Sequence, residues 1–408
     1  MQSVPDPSTL GFGSAGLASI ESHLRGYVVS GELSGFELIL ARWGQVALSV
    51  SAGMRDREAG LPMGDDTLIR VYSMTKVVTA VAMLQLVEQG KVSLEDRLDR
   101  FIPEFAHTVV WNGSLELQKG GPVEPITLQH LLTHTSGLTY GFLHANPVDA
   151  MYRAAGFDWG TPPGWDLETS AKSWAALPLL FPPGRAWNYS VGFDLLGRVV
   201  EVASGLKLPD YFQRRILGPL GMVDTGFHAN DGQRDRLAAL YSAGVGAASA
   251  PQRAVGLESY ALFPPTCPSG GGGLLSTARD YQRFIQMLMN RGELGGTRVL
   301  TVPSVNSMFT NQLSGNVGLD SIGIPMSPKT EFAGRGFGFG LFIVLDPDRV
   351  SAPCARGEVS ADGAASTFFW IDPEREISAL FLAQLMPSSQ LPLRQELRKL
   401  VHAALLES

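Results

Sequence analysis

The stretch Ser73 to Gln89, SMTKVVTAVAMLQLVEQ, reads as a helix that is apolar almost all the way round, through Val77, Val78, Val81, Met83, Leu84, Leu86 and Val87. A helix without a polar face has no side to turn to water, so it is buried. The remainder of the chain must wrap it, and 408 residues with 45% hydrophobic content suffice. The length exceeds that of a usual single domain, so two lobes or a domain with a large insertion are expected. Gly90 ends the helix, and Ser93 with Asp96 reads as the capping box of the next one.

Strand signals lie at the two ends of the chain. Residues 35–53, GFELILARWGQVALSVSAG, alternate around Trp43-Gly44 and predict a β-hairpin. Near the C-terminus, GFGFGLFIVLDP (336–347), STFFWIDP (366–373) and ISALFLAQL (377–385) predict three strands of an antiparallel meander. Leu17–Val29 and Pro392–Leu406 read as amphipathic terminal helices. From Gly90 to about Gly256 the pattern is helical with Pro/Gly-rich loops and no clear strand; Thr127–Thr133, Phe193–Ser204 and Leu208–Leu217 are the helices. One antiparallel sheet built from both ends, faced by the terminal helices and carrying a helical insertion, is the economical architecture.

Composition excludes several function classes. The net charge is −7, from 32 basic and 39 acidic residues, with no Lys/Arg cluster that would neutralise phosphates, so nucleic acid is not an expected partner. No apolar run reaches spanning length, and the N-terminal sequence has neither the cationic nor the apolar region of a signal peptide. Cys267 and Cys354 make no disulfide framework and suit a reducing cytoplasm as unpaired thiols. A cytoplasmic protein without membrane contact is expected.

Several short motifs carry no chemistry. Gly11-x-Gly13-x-x-Gly16 has no strand before it and no βαβ unit after it. His130 and His134 stand four apart, but Leu131 lies where a zinc peptidase has its glutamate, so structural histidines are expected and no metal is implied. Thr169-Ser170-Ala171-Lys172 is a hydroxyl-x-x-lysine match at a polar helix start, where a solvated cap is expected. No G-x-S-x-G elbow is present.

Ser73-x-x-Lys76 differs by context. Such a pair arises by chance about once or twice in a chain this long, usually as a capping serine and a snorkelling lysine. Here it opens a buried helix, with both side chains on one face. The helix N-terminus favours an oxyanion developing near Ser73. Burial depresses a lysine pKa, so Lys76 can take a proton. Tyr189, in WNYSVGFDLLG after the Pro182-Pro183-Gly184 turn, sits on a loop ahead of an amphipathic helix and is a candidate second proton handler. A second oxyanion donor can come from the small-residue segment 360–366, SADGAAS, leading into the strand at 366–373.

The ordered set YSMTK, LLTHTSGL, PPGRAWNYS, GGGGLLSTARDYQRF and GAASTFFWIDP resembles the serine β-lactamase-like superfamily. That group includes class C β-lactamases, penicillin-binding proteins, family VIII carboxylesterases and fungal lovastatin-type acyltransferases. The likeness runs from about Phe36 to Gln384, and residues 131–145 most resemble the esterase and acyltransferase branch. It implies an α/β two-lobe fold, an antiparallel sheet flanked by helices plus a helical lobe, with the site between them. Residues 1–77 with 257–408 would form the sheet lobe and 78–256 the helical one. The resemblance makes Ser73 the nucleophile, Lys76 and Tyr189 its proton relay, and the N–H groups of Ser73 and Ala364 the oxyanion hole. The substrate-pocket candidates are His134, Tyr140, Val191, Ala361, Asp362 and Gly363.

The chain departs from the lactamase pattern in two places. Val191 replaces the asparagine of Tyr-x-Asn, and Ala361-Asp362-Gly363 replaces Lys-Thr-Gly, so the cation for a β-lactam carboxylate is missing and an acid stands nearby. The expected substrate is a small-molecule carboxylic ester, without metal or organic cofactor. Acyl transfer to an alcohol, β-lactam or D-amino-acid amide hydrolysis, and a non-catalytic binding module are the alternatives.

Overall fold

The computed structural model describes residues 6–113, 124–244 and 250–406. Part of the N-terminal stretch read above (1–5) lies outside them. So do two pieces of the expected helical lobe (114–123 and 245–249).

Helix α1 (Ser14–Val29) leads into strands β1 (Gly35–Arg42), β2 (Gln45–Asp56) and the two-residue β3 (Leu61–Pro62). Arg42 pairs with Gln45, leaving Trp43 and Gly44 as a two-residue turn with φ of 52° and 74°. Positive φ at both positions matches the twist of the strands, as expected for this hairpin. Helix α2 (Thr75–Glu88) follows, then the short α3 (Leu128–Leu132) and α4 (Gly192–Ser204). Helix α5 (Ala278–Met289) leads to strands β4 (Arg335–Phe337), β5 (Phe342–Val344), β6 (Val359–Gly363), β7 (Thr367–Asp372) and β8 (Ile377–Ala383), and α6 (Leu393–Ala404) closes the chain.

The strands form one eight-stranded sheet in the order β4-β5-β6-β7-β8-β1-β2-β3, antiparallel throughout. The two ends of the chain meet where β1 pairs β8, with Leu38 opposite Phe381. Strand alternation gives the sheet two apolar faces. Phe36, Leu38, Phe368, Trp370 and Phe381 pack with Leu17, Ile20 and Leu24 of α1 and Leu393, Leu397 and Val401 of α6. Phe369, Ile371, Leu380 and Leu382 belong to the larger core on the other face, shared with α2, α4 and α5. Every residue of α2 from Thr75 to Leu86 is buried.

Five expectations on local structure are corrected. Ser73 is not in the first turn of α2; it lies in a separate one-turn 3-10 helix, Tyr72–Met74, that hands over to α2 at Thr75. Ser93 N–H does donate to Asp96 Oδ2 at 2.8 Å, but the pair closes a turn, and the next helical element is only Leu98–Arg100. The helix expected over 208–217 continues from one α-turn at Leu208–Phe212 into a π-turn at Gln213–Leu217. GFGFGLFIV is a hairpin, β4 and β5, because Gly338 and Gly340 break the run. SADG belongs to a strand of its own, β6, whose alternation is masked by small and polar residues. Within 90–256 the described strands are only two-residue pieces, such as Tyr241–Ser242.

Candidate active site

The turn carrying Ser73 is clamped from several sides. Val71 N–H donates to Leu274 O at 3.1 Å, Leu274 N–H to Thr75 Oγ1 at 3.1 Å, and the Tyr281 hydroxyl of α5 to Met74 O at 2.9 Å. Tyr72 is held at φ 45°, a left-handed conformation that a bulky side chain takes only under such constraint. Ser73 N–H stands in the first turn of its helix, where an N–H has no internal acceptor.

Lys76 lies behind this turn and is 4% exposed. Its Nζ donates to Ser73 Oγ at 3.3 Å and to Gly271 O at 2.6 Å. It also lies 4.5 Å from the Tyr189 ring centre and 5.2 Å from that of Tyr140. Burial pushes its ammonium down to about 7, against the opposing pull of the Asp194 and Asp362 carboxylates. The other hydroxyl-x-x-lysine match is built differently. Thr169 N–H donates to the capping Asp166 at 2.8 Å, and the exposed Lys172 pairs with Glu168 at 2.7 Å.

Tyr189 stands on a strut laid along residues 134–139. Asn188 N–H donates to His134 O at 2.9 Å, Asn188 Nδ2 to Leu138 O at 3.0 Å, and Val191 N–H to Thr139 O at 3.3 Å. Burial raises the phenol well above its ordinary value; the adjoining Ser73 hydroxyl works in the opposite sense, and the Asp362 and Asp194 carboxylates add to the rise.

The sheet reaches the site through β6. Strand β5 pairs with Val359 and Ser360, and the register between the two strands ends at Ser360. Gly363 is seated on Val71 O and Tyr72 Cβ with no room for a side chain. The next residue, Ala364, shares a small apolar cluster with Tyr72, beside Ser73. Ser73, Tyr140, Tyr189 and Ala364 are half-buried, whereas Lys76 is buried behind them. The arrangement brings the Ser73 hydroxyl, the Lys76 amine and the Tyr189 phenol together, with Ala364 packed against the neighbouring Tyr72.

The pocket candidates separate. Tyr140 lies beside Tyr189, ring to ring at 5.4 Å, and its hydroxyl donates to Asp194 Oδ2 at 3.1 Å. His134 has no exposed surface; it lies behind Tyr189, ring to ring at 4.8 Å, with Trp187, Phe193 and Phe337 around it. Burial, with Lys76 adding to it, holds its imidazole neutral. Val191 and Ala361 are buried as well. Asp362 does not face the cleft: Ala361 and Gly363 take the α2 side of β6, while Asp362 takes the other and is bound by Arg394 of α6.

His130 caps α3, its Nδ1 accepting from Thr127 N–H at 3.2 Å. Among the described residues no group of three His, Cys, Asp or Glu is placed to hold a metal, and no helix is long and apolar enough to cross a membrane. Sequence reading missed Asp194, Ser269 and Gly271, which meet beside Lys76; the glycine run 270–273 was the available signal.

The chain matches the family described as Beta-lactamase over residues 20–403. It is 31% identical over 398 residues to Esterase EstB of Burkholderia gladioli, covering 92% of this chain and 93% of that one. It is 30% identical over 368 residues to monacolin J acid methylbutanoyltransferase of Aspergillus terreus, covering 84% and 83%. Among solved structures it resembles EstCE1, described as a hydrolase with promiscuous acyltransferase activity, with a TM-score of 0.81 and 27% identity over 95% of this chain and 99% of that one.

Proposed function

This chain belongs to the Beta-lactamase family, and we propose that within it the chain cleaves carboxylic esters through an acyl-enzyme on Ser73. The observation that carries the reading is the contact of Lys76 Nζ with Ser73 Oγ at 3.3 Å, made by an amine that burial brings close to neutrality. Ser73 Oγ bonds to the ester carbonyl carbon as its proton passes to Lys76. The N–H groups of Ser73 and Ala364 receive the negative charge on the carbonyl oxygen. The bond to the alcohol oxygen then breaks, Tyr189 gives that oxygen a proton, and the Lys76 ammonium reprotonates Tyr189. Water enters by the reverse relay and releases the acid.

An alcohol in place of water gives acyl transfer on the same residues. The names of the methylbutanoyltransferase and of EstCE1 favour this as the second reading. A panel of p-nitrophenyl esters of graded acyl length, run with and without an added short alcohol, tests both. Ester turnover that Ser73→Ala abolishes is expected, and a transesterified product assigns the transfer. Turnover of no ester in the panel contradicts the reading.

A further inference from the structure

Asp194 belongs to the first turn of α4 and is buried. Its carboxylate accepts three hydrogen bonds, from the Tyr140 hydroxyl at 3.1 Å, the Ser269 hydroxyl, and Gly271 N–H at 3.1 Å. The carbonyl of the same Gly271 takes the short bond from Lys76 Nζ, and the neighbouring Gly270 O accepts from Thr79 Oγ1 at 2.7 Å. The glycine loop is thus held to α4 by Asp194 and to α2 by Lys76 and Thr79. The fit is tight: a Cβ on Gly271 would stand 2.6 Å from both Asp194 Oδ2 and the Tyr140 hydroxyl.

We propose that Asp194 is the positioning residue of this site, fixing Gly271 so that its carbonyl aims Lys76 at Ser73 and tying Tyr140 into the same arrangement. The inference rests on the reading of Lys76 as proton acceptor. Two half-buried hydroxyl donors and a backbone N–H converging on one buried carboxylate make a rigid cradle. The carboxylate also supplies negative charge near the amine. The groups around Lys76 are Asp194 from α4, the tyrosines 140 and 189, and His134, with the Asp362 carboxylate acting on it from the far side of β6. Of the two acids, Asp362 is paired with Arg394, and Asp194 acts the more strongly on Lys76.

Asp194→Asn keeps the shape and removes the charge. The expected results are a kcat at least ~tenfold lower for p-nitrophenyl butyrate, a KM changed less than ~threefold, and an acid limb of kcat/KM displaced to lower pH. The direction follows because loss of a nearby anion lets Lys76 give up its proton more easily. An unmoved limb overturns the proposal, even with a lowered Tm, because a merely structural carboxylate would lower stability without moving it. Gly271→Ala, which keeps the charge and pushes the loop off Lys76, is the second variant. A kcat within ~twofold of wild type there overturns the positioning role if Asp194→Asn does not fold. Titration of the Lys76 amine by NMR in both proteins separates this inference from the function above. A lowered Lys76 pKa in Asp194→Asn, with no ester turned over by either protein, would sink the esterase reading and leave the positioning role standing.

Discussion

Lys76 Nζ stands 4.5 Å from the centre of the Tyr189 ring and hydrogen-bonds Ser73, so the amine, the phenol and the hydroxyl form one contiguous group. Groups that act as a unit lose their function together. Lys76→Ala and Tyr189→Phe should each lower kcat/KM for a short p-nitrophenyl ester by about three powers of ten, and the double variant should lie within about tenfold of the worse single one. Near-wild-type turnover in Tyr189→Phe would show that the tyrosine only packs against His134.

The pH profile follows from Lys76. In the proposed relay the unprotonated amine accepts the Ser73 proton, and burial pushes its pKa down to about 7. Activity should therefore fall as pH drops through about 7, with the limb carried by kcat/KM of the free enzyme. The same depressed pKa costs stability. Between about 7 and the ordinary 10.5 the unfolded chain binds a proton that the folded chain does not, so this contribution to stability rises with pH across that window and is smallest below it. Lys76→Met should abolish turnover and raise Tm at pH 7; a lowered Tm would mean that the bond to Gly271 outweighs the cost of burying the amine.

Strand β6 bears on substrate class. A β-lactam presents a carboxylate and an amide. Ala361 offers the first no cation, and the buried Val191 offers the second no hydrogen bond. Each unmet polar contact costs ~1–3 kcal/mol, so two suppress turnover by about two to four powers of ten at ~1.4 kcal/mol per tenfold. On one preparation, kcat/KM for p-nitrophenyl butyrate should exceed that for nitrocefin by such a margin. Parity between the two would hand the site to the lactamase reading.

Behind the sheet, Arg398 of α6 is buried against Glu358 and lies 4.8 Å from the Trp370 ring centre. Removing one member strands the other charge in the core. Arg398→Ala should cost about 3–5 kcal/mol in chemical unfolding, whereas Glu358→Leu with Arg398→Met should recover most of that loss. A double variant no more stable than the single one would show that packing, rather than the stranded charge, dominates there.

How much of this was legible in the chain depends on sequence distance. Ser73 and Lys76 are three residues apart, so their proximity is readable locally even though a 3-10 turn and α2 divide them, and the apolar wrap of α2 announces the burial that shifts Lys76. The Trp43-Gly44 turn and the apolar strands 367–372 and 377–383 are equally local signals. Strand β6 escaped because SADG alternates small and polar residues, and its place is fixed by β7 and by the seat of Gly363 on Val71. The outward turn of Asp362 depends on Arg394, 32 residues later. Asp194 and Gly271 meet across 77 residues, and no local pattern reports such a pairing. His134 drew attention as a pocket residue through its motif, yet its burial is set by aromatic rings from Trp187, Phe193 and Phe337.

The central claim is that Ser73 alone carries the acyl group, and peptide mass spectrometry after labelling with a fluorophosphonate tests it most directly. The predicted result is a single adduct on the peptide containing Ser73, absent from Ser73→Ala. An adduct on the buried Ser136 or Ser190 instead, or no adduct on a folded protein, would contradict it.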